Sequence, residues 1–377
     1  LLVACTAPTT PATDAPLDPL EGRIVIVEDG DIATIDPDGS NRAEITDDGS
    51  DSQYFQPVWS PDARRMAWGG ADSDGFYVGF ADDDGGSRAR VDVAGFPFYL
   101  NWSPDGNQIG ILRGGSGSDF DFELIDVPAS RASVVDSGAP YYFSWSPESD
   151  AVVVHVGGDR LEIFDEQANP TVIGPTSANY LSPRWTDAGI FYLGPDGVRL
   201  RDEVGETALI HAVSGFASVN PNQAGTLVAV HTIAESESLT VSLGVQDLGR
   251  DSVVVVDVET GEVDAVTDRL SVGSFWSPDG ASLMVLAVDR DQLVDVLIWE
   301  DGETREVASI EIPISLLSQA LAFFDQYAQS WRIWSPGSRA VVLPGSIDGD
   351  SGVWVISAEG GEPIRLSGGE WAAWSHD

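Results

Sequence analysis

Trp102-Ser103-Pro104-Asp105-Gly106, followed at once by the apolar run Gln108-Ile109-Gly110-Ile111-Leu112, decides the architecture of this chain of 377 residues, because it recurs. Trp-Ser-Pro returns intact at Trp59, Trp145, Trp276 and Trp334, and a degenerate copy ends the chain at Trp374-Ser375-His376-Asp377. Two worn copies emerge when the flanks are aligned: Ser182-Pro183-Arg184-Trp185 keeps the Trp, and Val219-Asn220-Pro221-Asn222 keeps the Pro and has Val in place of the Trp. Starts at 59, 102, 145, 185, 219, 276, 334 and 374 stand 43, 43, 40, 34, 57, 58 and 40 residues apart. A period near 40 is the length of one four-stranded unit in a radial array of sheets.

Each copy has one internal grammar. An alternating apolar run follows the Trp-Ser-Pro turn, as at 65–68, 151–156 or 340–343, and a Gly/Asp turn leads to a second run such as 76–80 or 122–126. A third, more polar run ends the unit, as at 90–93, 132–135 and 363–366. Short β-branched and aromatic runs divided by Gly, Asp and Pro predict antiparallel hairpins, and the strand leading into the Trp makes four per unit. Proline fixes φ and stops the incoming strand, and Asp-Gly supplies the turn out. The Trp is large enough to fill the wedge between neighbouring units, where its indole N–H needs a partner.

The ends of the chain carry the closure. Three strand-like runs precede the first Trp-Ser-Pro, at 23–27, 31–35 and 42–45, and one strand's worth, 370–374, follows the last full unit. Three strands and one make a blade, which ties the termini together and removes two open sheet edges. The prediction is an all-β chain, a β-propeller of eight four-stranded blades over residues 22–377, with seven blades as the fallback because the unit at Val219 is degenerate. Such a ring is expected to be a monomer.

The Trp-Ser-Pro-Asp-Gly turn, the Ile-Ala-Phe-like strand after it and the Asp-rich turn that follows resemble the repeat of TolB-type, WD-repeat-like propellers. Similar repeats occur in the propeller domains of prolyl oligopeptidase relatives. The resemblance covers residues 23–377, with five intact Trp-Ser-Pro copies. It departs from TolB itself, which carries an added N-terminal α/β domain and six blades, whereas a short tether stands here. The resemblance implies a propeller and leaves its ligand unnamed.

The charge is lopsided: 61 acidic against 19 basic residues, every one of them Arg, for a formal net charge of -42. Such a surface repels phosphate backbones, so no nucleic-acid partner is expected, and it suits solubility in salt. The single cysteine excludes an internal disulfide and a cysteine metal cluster. It stands at Cys5, after Leu1-Leu2-Val3-Ala4, in a setting that resembles the lipobox of bacterial lipoproteins. Residues 1–5 then read as the remnant of a secretory signal ending at a lipidation site, and residues 6–21, rich in Pro and Thr, as a flexible tether. A membrane-anchored, extracytoplasmic protein of the cell envelope is the expectation.

Chemistry is harder to find. The four histidines, His155, His211, His231 and His376, fit no metal spacing and read as strand or turn residues. No Gly-x-Ser-x-Gly elbow and no sialidase Asp-box is present, so no catalytic residue, cofactor site or metal site is assigned. Asp-rich turns at 36–41, 72–75, 82–85 and 348–352 are the best calcium candidates, but position twelve counted from Asp36 is Asp47, where an EF-type loop needs Glu. Two insertions break the period. Residues 233–250 read as a solvated loop, and residues 315–328 place Leu317, Leu321, Phe324 and Ala328 on one helical stripe. That helix is expected to cap the edge of one blade, or else to dock a partner. The function expected is a protein- or peptide-binding scaffold rather than an enzyme. The alternative is a carbohydrate-binding or hydrolytic propeller using carboxylates at its central channel.

Overall fold

The structure, a computed structural model, describes residues 19–232, 252–288 and 293–375. Cys5, residues 6–18 of the expected tether, the insertion at 233–250 and His376 lie outside the described residues.

Eight antiparallel sheets form the ring, in chain order from the blade that starts at Gln53–Trp59. Within each of blades 1 to 6 the first strand lies innermost and the fourth outermost, and burial follows that order. Tyr141–Trp145, inner in blade 3, is buried throughout, whereas Pro170–Val172 at its rim is exposed. In blade 7 the innermost strand shrinks to a bridge between Trp334 and Val341 beside the three-stranded sheet of 340–367. The eighth blade has Trp371–Trp374 paired antiparallel to Ile24–Glu28, with Val25 opposite Ala373, and the strands Asp31–Ile35 and Ala43–Glu44 complete it.

The repeat's tryptophans stitch neighbouring blades together. Trp102 Nε1 donates to the carbonyl of Val58, Trp145 to Asn101, Trp276 to Asn220 and Trp334 to Phe275, at 2.8–3.3 Å. In each case the acceptor is the residue just before the Trp (or its replacement Pro221) of the preceding blade. The ring continues through the termini, as Trp59 donates to Ala373. The serine has its own task. Ser103 Oγ accepts the Gln108 N–H (2.9 Å) and donates to Asp105 (2.6 Å), so one hydroxyl pins both sides of the turn. Ser60 and Ser277 repeat this with Asp62 and Asp279.

Contact with the ring begins before the first strand. Trp374 Nε1 donates to the Glu21 carbonyl (2.9 Å) and Arg339 to that of Pro19 (2.8 Å), so the described chain starts on the face that bears the Trp-Ser-Pro turns.

Candidate functional site

The inner strand of a propeller blade has one edge unpaired, its N–H and C=O groups turned to the central channel. Here the insertion between blades 6 and 7 fills that channel. It forms α1 (Ile314–Gln319), a 3-10 turn at Leu321–Phe323 and α2 (Phe324–Tyr327). The helical spacing read from the sequence is real, but its destination differs: the segment plugs the ring axis instead of capping a blade edge. The reason is polar as well as apolar. Leu317, Leu321 and Phe324 join the largest hydrophobic cluster, each side chain contributing about 1.5–3 kcal/mol by burial. Gln326, fully enclosed, accepts the Phe143 N–H (3.0 Å) and donates to the Phe143 carbonyl (2.9 Å), as an added strand would. Tyr99 Oη donates to the Gln326 carbonyl and Tyr327 Oη to that of Phe98, in blade 2, and Trp331 Nε1 donates to Ala372 in the closing blade.

Around the plug the channel is polar. Arg184 is buried and donates from Nη1 to Asn220 Oδ1 (2.9 Å), while Asn220 donates to Ser274. Burial pulls the Arg184 guanidinium down to about 10, although Tyr99 and Asp325 act to raise it. His231 lies between the hydroxyls of Ser271 (3.1 Å) and Ser274 (2.7 Å). His155 bonds to the Leu181 carbonyl and stacks on Tyr180 at 4.2 Å, and burial lowers its pKa. Both are strand residues of the ring's interior.

On one side of the plug opens a cleft of about 580 Å³, a size typical of a ligand site. Its walls are the starts of inner strands in three successive blades: Tyr54, Phe55 and Gln56, then Phe98 and Tyr99, then Tyr141 and Tyr142. Trp371 of the closing blade, Phe120 and the plug residues Leu316 and Phe323 complete it. Phe55 packs edge-on to Phe96 at 4.5 Å, and Phe98 to Phe120 at 4.9 Å. Phe96 is 36 % and Phe323 42 % exposed, so these aromatic surfaces face solvent rather than the core. Burial pushes the Tyr99 hydroxyl up to about 12 and that of Tyr142 higher still. The cleft lies at the end of the ring where inner strands begin, opposite the Trp-Ser-Pro turns. The flanks of the 233–251 segment, Thr232 and Ser252, pair with one another at this same end.

Motifs alone do not single out these aromatics, yet the chain carries a signal for them. Blades 1 to 3 have Phe or Tyr three or four residues before their Trp (Phe55, Tyr99 and Tyr142 among them), whereas blades 4 to 6 have no aromatic at either position, with Ser182, Ser218 and Gly273 three residues before the repeat's Trp or its replacement. The Asp-rich turns lie elsewhere and spend their carboxylates on local geometry. Asp38 accepts the Ser40 N–H, Asp72 accepts the N–H groups of Asp74 and Gly75 and pairs with Arg90, and Asp84 accepts the Gly86 N–H. Among the described residues no group of three or more His, Cys, Asp or Glu is placed to hold a metal ion. No helix of the described residues is long and apolar enough to cross a membrane.

No family model and no curated protein matches this chain. Solved structures do. The chain is similar to dihydro-heme d1 dehydrogenase NirN in complex with DHE, at 15 % identity over 98 % of this chain and 76 % of that one, with a TM-score of 0.58. It is similar to oligogalacturonate lyase in complex with manganese, at 14 % identity over 90 % and 96 %, with a TM-score of 0.54. TolB from Acinetobacter baumannii is also similar, at 15 % identity over 96 % and 68 %, with a TM-score of 0.47. At such identities the likeness is one of fold, and the fold of this chain is a β-propeller.

Proposed function

We propose that the chain is a binding module of the cell envelope whose propeller takes an apolar, aromatic-compatible segment of a partner protein in the cleft. One observation carries the reading: aromatic rings from three successive blades, with Phe96 and Phe323 open to solvent, line a cleft over a channel that the chain itself has closed. A closed channel gives the cleft a floor, suited to a side-chain-bearing segment laid across it. Among the described residues Glu370 is the one carboxylate lining the cleft, so the paired acid and base of a glycoside-cleaving site are not assembled there. This favours binding over catalysis.

The lipobox-like Cys5 supports an extracytoplasmic, membrane-tethered setting. The described chain starts on the Trp-Ser-Pro face, opposite the cleft. Mass spectrometry of the mature N-terminus tests the anchor, and an unmodified Cys5 removes it.

For the binding reading, a photoreactive residue is placed at Phe323 and, separately, at Arg131 on an outer strand. Crosslinking in intact envelopes is expected to capture one partner protein through position 323 and not through 131. Capture of nothing at 323 under low and high salt, or the same products at both positions, contradicts the reading.

A further inference from the structure

We propose that the segment taken by the cleft is cationic, an apolar peptide stretch bearing Arg or Lys. The proposal rests on the reading of the cleft as a peptide site and adds the chemistry of its occupant. Among the described residues lining the cleft, Glu370 is the one acidic or basic side chain. It is exposed and, among the described residues, has neither an ion pair nor a side-chain hydrogen bond. Exposed carboxylates flank the aromatic walls in the chain: Asp119 precedes Phe120, and Asp51 stands three residues before Tyr54.

The arginine beside the lining in the chain is already paired. Arg113, next to the lining residue Leu112, pairs with Asp121 (2.8 Å) and Glu123 (2.6 Å). Arg90 pairs with Asp72 and Asp92 (both 2.6 Å) and lies over the Tyr77 ring at 4.2 Å. Among the described residues no basic side chain lines the cleft, so an anionic segment would meet only Glu370 and the field of a chain with a net charge of -42. A cationic one meets both a carboxylate and the negative faces of aromatic rings, of which Phe96 and Phe323 are open to solvent. The Arg90–Tyr77 contact shows the same pairing of guanidinium and ring used within the chain.

The test is selection of random-sequence peptides on the full chain, with the Phe323→Ser chain as counter-selection so that only cleft-dependent binders are kept. The expected result is enrichment of Arg and Lys over Asp and Glu in those binders. Their affinity is expected to fall about tenfold when the basic residues become Gln, and Glu370→Gln is expected to reduce that difference. Three outcomes overturn something, and they are separable. No cleft-dependent peptide at all sinks the peptide-site reading and the proposal with it. Cleft-dependent binders without basic enrichment leave the reading standing and sink the proposal. Basic binders whose charge preference is unchanged by Glu370→Gln and by Asp119→Asn also sink it, since the attraction is then the chain's overall charge.

Discussion

The side-chain amide of Gln326 completes the backbone of Phe143, accepting its N–H at 3.0 Å and donating to its carbonyl at 2.9 Å across 183 residues of chain. One plug residue thus does for blade 3 what a fifth strand would do. The two halves of the bond are unequal. The Phe143 carbonyl keeps a second donor, Gln329 Nε2 at 3.2 Å, whereas no other partner of its N–H is found among the described residues. Gln326→Leu is therefore expected to cost about 1–3 kcal/mol, chiefly by stranding that N–H. A urea-unfolding midpoint lowered at unchanged slope checks it, and an unchanged midpoint contradicts a plug held by polar contacts.

The indole ring of contacts gives a paired prediction. Trp102→Phe retains most of the buried ring and loses the bond to the Val58 carbonyl, for an expected loss of about 1–2 kcal/mol. Trp102→Ala opens a cavity as well and is expected to cost about 3–5 kcal/mol. Trp185, whose indole makes no hydrogen bond among the described residues, is the control. Trp185→Phe is expected to fall within about 0.5 kcal/mol of the parent. Equal losses at 102 and 185 would remove the stitching role.

Acid stability should reflect the repeat's turns. The Ser60 hydroxyl holds the Asp62 carboxyl below its ordinary 3.8, helped by the Arg64 N–H. Burial works the other way at Asp105 and Asp279, yet the Ser103 and Ser277 hydroxyls still bring both below that value. A depressed folded pKa stabilises above the unfolded value and loses that contribution as pH falls through the folded one. Melting temperature is expected to drop most steeply below about pH 4, and Asp62→Asn is expected to flatten part of that slope. An unaltered slope in the variant contradicts the assignment.

Salt should stabilise. With 61 acidic and 19 basic residues, relief of self-repulsion is expected to outweigh the weakening of surface ion pairs, which contribute about 0–1 kcal/mol each. Melting temperature should rise between about 0.01 M and about 1 M NaCl as the Debye length shortens from about 30 Å to about 3 Å. A fall over that range would mean that the arginine ion pairs dominate.

Much of the ring is legible in the chain because each blade repeats a local rule. Trp-Ser-Pro marks where an inner strand ends, and its copies count the blades one for one, but in the degenerate copy Pro221, opposite Val228, takes the place of the Trp, two residues beyond the Val219 that the sequence alignment put there. The serine's two hydrogen bonds are not legible in the same way, since a hydroxyl that caps a turn looks like any polar turn residue. The plug shows the limit more clearly. Leu317, Leu321 and Phe324 announce a buried helical stripe, but what the plug packs against comes from strands up to 271 residues away. Nothing local to 314–327 names the channel as its place. The cleft is hidden for a related reason: Phe55, Phe98 and Tyr142 read as strand aromatics until the ring sets them side by side.

Hydrogen–deuterium exchange of the full chain, with and without a selected peptide, tests the central claim most directly. Slowed exchange at 53–56, 97–100, 141–143 and 314–323 on peptide binding is the predicted footprint, with the Trp-Ser-Pro turns unaffected. Protection confined to those turns, or absent from the plug segment, would contradict the aromatic cleft as the place where this propeller binds.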